Sequence, residues 1–393
     1  MGLRFEPLGN YIHEVDVRNT DLSITKLMGV NLSKQMMPSV ANIIGTDLSV
    51  YKIVKERQFA CKLMSVGRDA CLPIALKLDA EPVIISSAYY SFEVNDENEM
   101  LPEYLMLCFL RPDFDRELWF RTGGDVRGGV TWDAFCNIEI PVKTIDEQRI
   151  IVRDYQVINN RIDLLQKKNQ ALFDLNMAFF MEKFDWCLHE EMKKAEGYVH
   201  LGDFIHVKHG FAFDGGDFSE RETSRVLVSP GNFKIGGGFQ NVKPKYYSEI
   251  AEYDENYVLS ANSLVVTMTD LSINADTLGY PAIIPADPNT LYLHNQRVGL
   301  VQVIDDRLPV SFLFCLMCSQ NYRNYIIATS SGTTVHHTSP ERIEGYGFIY
   351  PNNTEDLYML SSLFRIYCSD CDLYNSEIRS LKKLLLLMQQ SIF

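Results

Sequence analysis

No apolar stretch among these 393 residues approaches the roughly 18 residues that a membrane-spanning helix needs. The longest clear run is Phe312–Cys318, so no membrane contact is expected. The opening segment MGLRFEPLGNY has Glu6 close to its start and no apolar core, which predicts no export signal. Glu6 also stands where an N-myristoylation motif would carry Ser or Thr, which argues against acylation of Gly2. A disulfide framework is missing as well. Nine cysteines, an odd number without framework spacing, fit a reducing compartment and a cytoplasmic chain. Positive charge is scarce: 37 Lys and Arg face 51 Asp and Glu, for a net charge of −14 and a pI near 5.1. Bulk attraction to a polyanion is therefore excluded. A nucleic-acid binder of this composition needs locally clustered Lys and Arg, or a basic partner subunit.

Catalytic signatures are equally sparse. There is no Gly-x4-Gly-Lys-Ser/Thr loop and no Gly-x-Gly-x-x-Gly fingerprint; Gly236-Gly237-Gly238 sits in a polar loop with no helix start after it. No Asn/Asp-Pro-Pro-aromatic run of an amino-methyltransferase occurs, and Asp287-Pro288-Asn289 reads as a turn. Pro112-Asp113 and Glu191-Met192-Lys193 fall in different contexts and do not form a nuclease carboxylate set. Two Cys-x-x-Cys pairs are present, Cys315/Cys318 and Cys368/Cys371, but one lies in an apolar helical run and the other on a heptad stripe. Zinc knuckles form on polar turns, so buried structural thiols are expected here. His336-His337 lacks a third ligand nearby and reads as a loop facing phosphate or solvent. Neither a metal nor a cofactor is expected in this chain.

What the chain does contain is itself, twice. It is 46% apolar and 22% charged, with 22 Phe, 20 Tyr and 3 Trp, and its length predicts two globules, each able to bury a core. Leu8-Gly9-Asn10-Tyr11-Ile12-His13 matches Leu201-Gly202-Asp203-Phe204-Ile205-His206. Each opens a region of Val, Ile, Thr, Tyr and Phe broken by Gly, Pro and Asn, a sheet-and-loop composition. Each then passes through an expected helix, Glu103–Leu110 and Ser311–Met317. Polar glycine-bearing loops follow, Arg121–Val130 and Thr329–Thr338, and a short strand ending in Pro141 or Pro351 closes each copy.

Beyond each proline lies a long segment without Pro or Gly. In the first, Ile151, Ile158, Leu165, Leu172 and Phe179 recur every seven residues. In the second, Leu360, Tyr367, Tyr374, Leu381 and Met388 form one such series, and Phe364, Cys371, Ile378 and Leu385 form another between them. Both series are the mark of a helix packed along a helix. Each segment of about 38 residues would extend roughly 57 Å. Neither could bury its stripe alone, so the two are expected to pair with each other. The order globule, helix, globule, helix makes that pairing antiparallel and the chain a pseudo-two-fold dumbbell. The competing arrangement is a generic two-domain protein with a dimerising coiled coil. Residues Asp185–Glu196, charged and polar, read as the helix end and a linker.

Three pieces in order then resemble a known family. Gly128-Gly129-Val130-Thr131-Trp132-Asp133-Ala134-Phe135, Ile138-Glu139-Ile140-Pro141 and Asp146-Glu147-Gln148-Arg149-Ile150-Ile151 resemble a target-recognition domain running into a helix, as in the specificity (S) subunit of type I restriction-modification systems. The second copy is similar through Val265–Asp270, Leu278-Gly279, His294-Asn295-Gln296-Arg297-Val298 and Ser331-Gly332-Thr333-Thr334. Its helix departs from the first in having Glu355-Asp356-Leu357 where the Glu-Gln pair would stand. The resemblance implies an α+β fold of two sheet-rich target-recognition domains joined by two long antiparallel helices. The expected division is residues 1–145, a helix at 146–185, a linker at 186–197, a second domain at 198–352 and a helix at 353–393.

The resemblance also implies a non-catalytic subunit. Each globule would read half of a bipartite site in double-stranded DNA. The helices would space the halves and hold two methyltransferase subunits, which bind S-adenosylmethionine, and restriction subunits can join. Base edges are read by Arg, Asn and Gln, and phosphates are held by Lys, Arg, Ser, Thr and backbone amides. On that chemistry the first globule offers Lys62, Arg68, Ser86, Ser87, Tyr89, Tyr90, Arg121 and Arg127. The second offers Lys208, His209, Lys234, Lys243, Lys245, His294, Asn295, Gln296, Arg297, Thr333, Thr334 and His336. Two other classes compete: a non-catalytic protein–protein scaffold, for which the acidic surface is natural, and an enzyme with an unrecognised site between the globules.

Overall fold

A computed structural model describes residues 4–39, 45–122, 129–188, 196–332 and 334–391. It divides into two compact units, Met1–Ile162 with Ser380–Phe393, and Asp163–Arg379. The division therefore falls inside both long helices rather than at the junctions between globule and helix.

The first unit opens with β1 (Arg4–Pro7), a 3-10 turn at Leu8–Asn10 and β2 (Ile12–Glu14). The hairpin β3 (Met28–Val30) and β4 (Met36–Pro38) follows, then β5 (Lys52–Val54) and β6 (Phe59–Cys61). After the short helix α1 (Val66–Asp69) come β7 (Ile74–Leu76), β8 (Val83–Ile85) and β9 (Tyr90–Val94). The central sheet is antiparallel in the order β2-β9-β6-β7. Helices α2 (Pro102–Phe109) and α3 (Pro112–Arg121) each start on a proline, whose fixed φ suits a first turn. They bring Phe109 and Phe114 to Phe59, Phe92 and Phe135, an edge-packed aromatic core. Helix α4 (Trp132–Cys136) leads into β10 (Glu139–Val142), which returns to pair with β1.

The second unit repeats this plan. Strand β11 (Tyr198–His200), a 3-10 turn at Leu201–Asp203 and β12 (Ile205–His209) come first. Its own additions are β13 (Phe218–Ser219), β14 (Arg225–Val228), β15 (Lys245–Tyr247) and β16 (Val258–Leu259). Then follow β17 (Leu264–Thr267), β18 (Thr269–Asp270), β19 (Pro281–Ile283), β20 (Leu291–His294) and β21 (Val298–Val303). Helices α6 (Val310–Cys318) and α7 (Gln320–Thr329), strand β22 (His336–His337), helix α8 (Pro340–Glu344) and β23 (Gly347–Ile349) complete it. The sheet β12-β21-β17-β19 is the counterpart of β2-β9-β6-β7, and β23 returns to β11 as β10 does to β1. A five-stranded sheet, β13-β15-β14-β20-β16, occurs only in this unit among the described residues.

The repeat holds at the level of register. Ile12 faces Val94 as Ile205 faces Val303, and Cys61 faces Tyr90 as Val266 faces Gly299. Leu8 N–H donates to the Ile138 carbonyl as Leu201 N–H does to that of Tyr346. The shared Leu-Gly step has a packing reason. A Cβ on Gly9 would lie 2.9 Å from Cys136 Cβ, and one on Gly202 would lie 3.2 Å from Glu344 Cβ, so only glycine lets α4 and α8 seat fully on their turns.

Two helices of 40 and 38 residues, α5 (Ile145–Phe184) and α9 (Thr354–Ser391), arise where Pro and Gly are absent. Thr144 and Glu147 close a capping box on α5, with Thr144 N–H donating to Glu147 at 2.9 Å. Gln148 is fully buried there, accepting from Leu101 N–H and donating to the carbonyls of Glu99 and Lys143. On α9 the cap is Asn353, and Leu357, buried among apolar neighbours, occupies the place of Gln148.

The helices pair antiparallel inside each unit. In the second, Asn169 Nδ2 donates to Asn375 Oδ1 at 3.3 Å, and the rings of Phe173 and Tyr367 are 6.1 Å apart. In the first, Met388 packs on the cluster that includes Ile151, Val152 and Tyr155. Leu165, Leu360, Phe364 and Ile378 are buried as the heptads predict, while Ile151, Ile158, Leu172, Phe179, Tyr367, Tyr374, Leu381, Leu385 and Met388 are half-buried. The buried line of α5 starts at Val152, passes through Ile162 and Leu165, and reaches Phe180 and Phe184. It lies one residue past the seven-residue series at Val152 and Phe180 and coincides with it at Leu165. Asn169 and Asn176 also lie on it, polar positions that an apolar count passes over. The expected linker is partly core: Asp185–Leu188 is a 3-10 turn, with Cys187 and Leu188 buried in the second unit. Residues 189–195 of that linker lie outside the described residues.

Candidate nucleic-acid interface

The same end of each central sheet gathers most of the polar candidates, and each unit builds it separately. In the second unit this end lies beyond His209, Gly299 and Val266. Lys208 Nζ stands 4.9 Å from the centre of the Tyr257 ring and donates to the Asn256 carbonyl at 2.9 Å. Phe211, 43% exposed, packs against Phe213 and Tyr257. The chain at Gly210 runs so close to Asn295 and His294 that any side chain would collide with their carbonyls. Phe211 N–H donates to His294 O at 2.8 Å and Gln296 N–H to Phe211 O at 2.9 Å, which locks the 208–211 and 294–297 segments together. Asn295 Oδ1 accepts from Arg297 N–H at 3.0 Å, forming a turn that leaves Gln296 and Arg297 exposed. Arg297 O in turn accepts from Met268 N–H at 2.9 Å, so β18 joins the cluster, and β18 pairs with β22 at His336 and His337. Thr334 is exposed beside it.

His294 corrects an expectation. It is 1% exposed, with Nε2 2.8 Å from the Val298 carbonyl, and burial pushes its imidazole down to about 4. It is a neutral core residue that braces the turn and does not reach a ligand. Lys234 is also elsewhere, half-buried beside a small cavity with Asn169, Cys371 and Asn375. Lys243 and Lys245 are exposed on and before β15, in the five-stranded sheet. Thr333 lies outside the described residues.

In the first unit the corresponding end brings together Lys62, Ser86 and Tyr89. They line a hollow of about 350 Å³ with Met28, Gly29, Met37 and Tyr51. Lys62 Nζ is 5.5 Å from the Tyr89 ring centre, and the Tyr89 hydroxyl accepts from Val30 N–H at 3.4 Å. Ser87 is exposed at the turn before β9. Tyr90 stacks on Trp132, ring centres 5.4 Å apart. Lys52 sits between Tyr90 and the carboxylates of Glu14 and Asp16, and Arg18 holds Asp16 from the other side. The Arg18 hydrogen bond keeps Asp16 below the usual carboxylate range. Arg68 is tied to Asp69, and Arg121 to Glu117 and the Asn137 carbonyl. Arg127 lies outside the described residues.

Among the described residues no group of three His, Cys, Asp or Glu could hold a metal ion. Burial pushes the Cys368 thiol up to about 12 and Cys371 to about 11, and Cys315 is fully buried, which makes these poor nucleophiles and poor ligands. No helix among the described residues is long and apolar enough to cross a membrane. Phe211, Tyr257 and Trp132 were not among the sequence candidates. Aromatic residues read as core by composition, and only the exposed stacking beside Lys208 marks Phe211 as surface.

No family model and no curated protein matches the chain. Solved structures do. The type I restriction-modification system S subunit from M. genitalium is similar over 100% of this chain and 96% of its own, with a TM-score of 0.59 at 12% identity. A chain from a study of complex assembly and conformational transition of the type I R-M system aligns over 100% and 97%, with a TM-score of 0.42 and 15% identity. The HsdS subunit from Thermoanaerobacter tengcongensis aligns over 100% and 96%, with a TM-score of 0.36 and 14% identity. The first of these shows the fold: two repeated sheet-rich globules with two long helices.

Proposed function

We propose that this chain is a DNA-specificity subunit of a type I restriction-modification complex. The carrying observation is that one frame is built twice and presents different polar side chains at the same sheet end. A repeated frame with unlike contact surfaces suits an asymmetric, two-part DNA site, because each half is read by its own donors and acceptors. In this reading Lys62, Ser86, Ser87 and Tyr89 meet one half-site, and Lys208, His209, Gln296, Arg297 and Thr334 meet the other. The chain performs no chemistry of its own. Two methyltransferase subunits carrying S-adenosylmethionine dock on the long helices, and restriction subunits join them. The local Lys–aromatic pairs supply contacts that the overall charge of −14 does not.

The test is duplex enrichment from a randomised pool by the chain assembled with its methyltransferase partner. One split motif with a fixed gap is expected, and enrichment without any motif overturns the reading. Inserting one heptad after Leu165 should lengthen the gap by roughly three base pairs, from about 1.5 Å per residue and 3.4 Å per base pair. Partner capture without any DNA dependence would favour a protein–protein scaffold.

A further inference from the structure

Between β18 and β19 the second unit projects two branched apolar side chains into solvent: Ile273 is 89% exposed and Leu271 66%. Asn274 next to them is exposed too. Isolated apolar residues on a surface need no explanation. This pair differs, because the loop that carries it is held like a core element. The buried Asp270 carboxylate accepts from the backbone of Ser272 and from both the backbone and the hydroxyl of Thr277. Burial works to raise that carboxyl, but these donors outweigh it and keep it ionised below the usual range. Ser272 Oγ accepts from Asp276 N–H at 2.6 Å.

From beneath, the buried Arg323 guanidinium donates to the carbonyls of Ala275 and Leu278 and lies 4.7 Å from the Tyr280 ring centre. Ala275 is buried at φ +53°, a left-handed conformation that a residue with a Cβ adopts only when its surroundings impose it. His336 Nε2 reaches the Ile273 carbonyl at 3.2 Å. A loop pinned at both ends and at its tip does not fold Ile273 back onto the surface.

The surroundings narrow the partner. Met268 N–H joins this loop to Arg297 O, and exposed Thr334, His337 and Arg297 stand on the adjoining segments. The loop presents two apolar side chains, and the exposed groups on the adjoining segments offer hydrogen-bond donors. They match an opened base step flanked by phosphates, since apolar wedges enter duplexes by separating stacked pairs. Resting on the reading of this unit as a DNA-binding module, we propose that Ile273, supported by Leu271, inserts between stacked base pairs of its half-site. Part of that half-site is then selected by how readily one step opens, which favours a pyrimidine–purine step. The matching segment of the first unit is built differently: after β6 its chain makes a 3-10 turn at Leu63–Ser65, with Met64 60% exposed, and then α1.

The experiment places 2-aminopurine at successive adenine positions of duplexes enriched by the full chain with its methyltransferase partner. Fluorescence should rise on binding at one pyrimidine–purine step. Ile273→Ser should abolish that rise and weaken binding about tenfold, while Ile273→Leu keeps both. The thermal midpoint of Ile273→Ser should match the parent's, because the side chain is exposed; a fall in midpoint that accounts for the lost binding counts against the wedge. A parent complex that binds its motif with no rise at any step, or an Ile273→Ser complex that keeps the rise, overturns the wedge and leaves the DNA-reading proposal intact. A parent complex that enriches no motif overturns that reading itself.

Discussion

The two units share their strand pairing and differ at the end of the sheet where that pairing stops. Beyond Glu14 the first unit continues with Val15 and Asp16, and the acidic pair is neutralised by Lys52 and Arg18. Beyond Val207 the second continues with Lys208 and His209, set against Tyr257. The positions correspond, because Ile12 and Ile205 occupy the same register against β9 and β21. Backbone hydrogen bonds and the Leu-Gly step constrain the frame, whereas these terminal side chains take partners that differ between the units. A frame can therefore stay while its contact chemistry changes sign. An overall excess of acid thus says little about either contact surface.

The largest expected difference between the units is in acid. His294 is neutral in the core with a pKa of about 4, and Ile85 stands five residues before Tyr90 as His294 stands five before Gly299, the residue in the same register. The folded pKa lies below the unfolded value of about 6.5, so the unfolded chain takes up the proton first. This contribution is intact above about pH 6.5 and is lost as pH falls toward about 4, some 3 kcal/mol in all. His294→Ile should flatten that dependence in the second unit, as read by urea unfolding at pH 7 and pH 4.5.

Next in size are the two glycines. Gly9→Ala should destabilise by about 1–3 kcal/mol, because a Cβ 2.9 Å from Cys136 Cβ forces backbone movement. Gly202→Ala, at 3.2 Å from Glu344 Cβ, should cost less than about 1 kcal/mol. Equal losses in chemical denaturation would mean that α4 and α8 seat equally tightly, against the difference between the two contacts.

The helix seam differs as well. It is apolar at Val152 and Ile162 but carries Asn169, 7% exposed, whose Oδ1 has no hydrogen-bond partner. Replacing both Asn169 and Asn375 by Leu should raise stability by about 1 kcal/mol, since it removes the buried Asn169 amide, whose oxygen is unpaired, together with its half-buried partner. It should also loosen the helix register, visible as extra products when cysteines placed along the seam are crosslinked. The smallest effect is on binding. Lys208→Ala should reduce the salt slope of DNA affinity by about one unit, and Asp16→His should move the first unit the opposite way.

Much of this was legible in the residues. LGNYIH and LGDFIH announce the repeat because the same short turn packs closely under a helix in both copies, more tightly at Gly9 than at Gly202. The long helices follow from the absence of Pro and Gly and from a heptad series, and α6 follows from an apolar run that proves buried on every side. The site was less legible. Lys62, Ser86 and Tyr89 were named for their chemistry and do meet around one hollow. His294 was named on the same grounds and turned inward, since an imidazole that bonds a carbonyl at the head of its own turn is cheap to bury. Arg323, which carries the Ile273 loop, was invisible: a guanidinium in a helix reads as solvated until the carbonyls of Ala275 and Leu278 are seen to converge on it.

Local spacing and composition alone established a doubled sheet-and-helix plan, two long helices with matching stripes, and the absence of any recognisable catalytic motif. Periodicity is a property of neighbours along the chain and can be read there. Which donors surround one sheet end, which histidine is buried, and why an isoleucine stands bare on a braced loop were decided in three dimensions. Those outcomes depend on hydrogen bonds between residues such as Arg323 and Ala275, far apart in sequence, whose pairing costs loop entropy and appears only once the chain is folded.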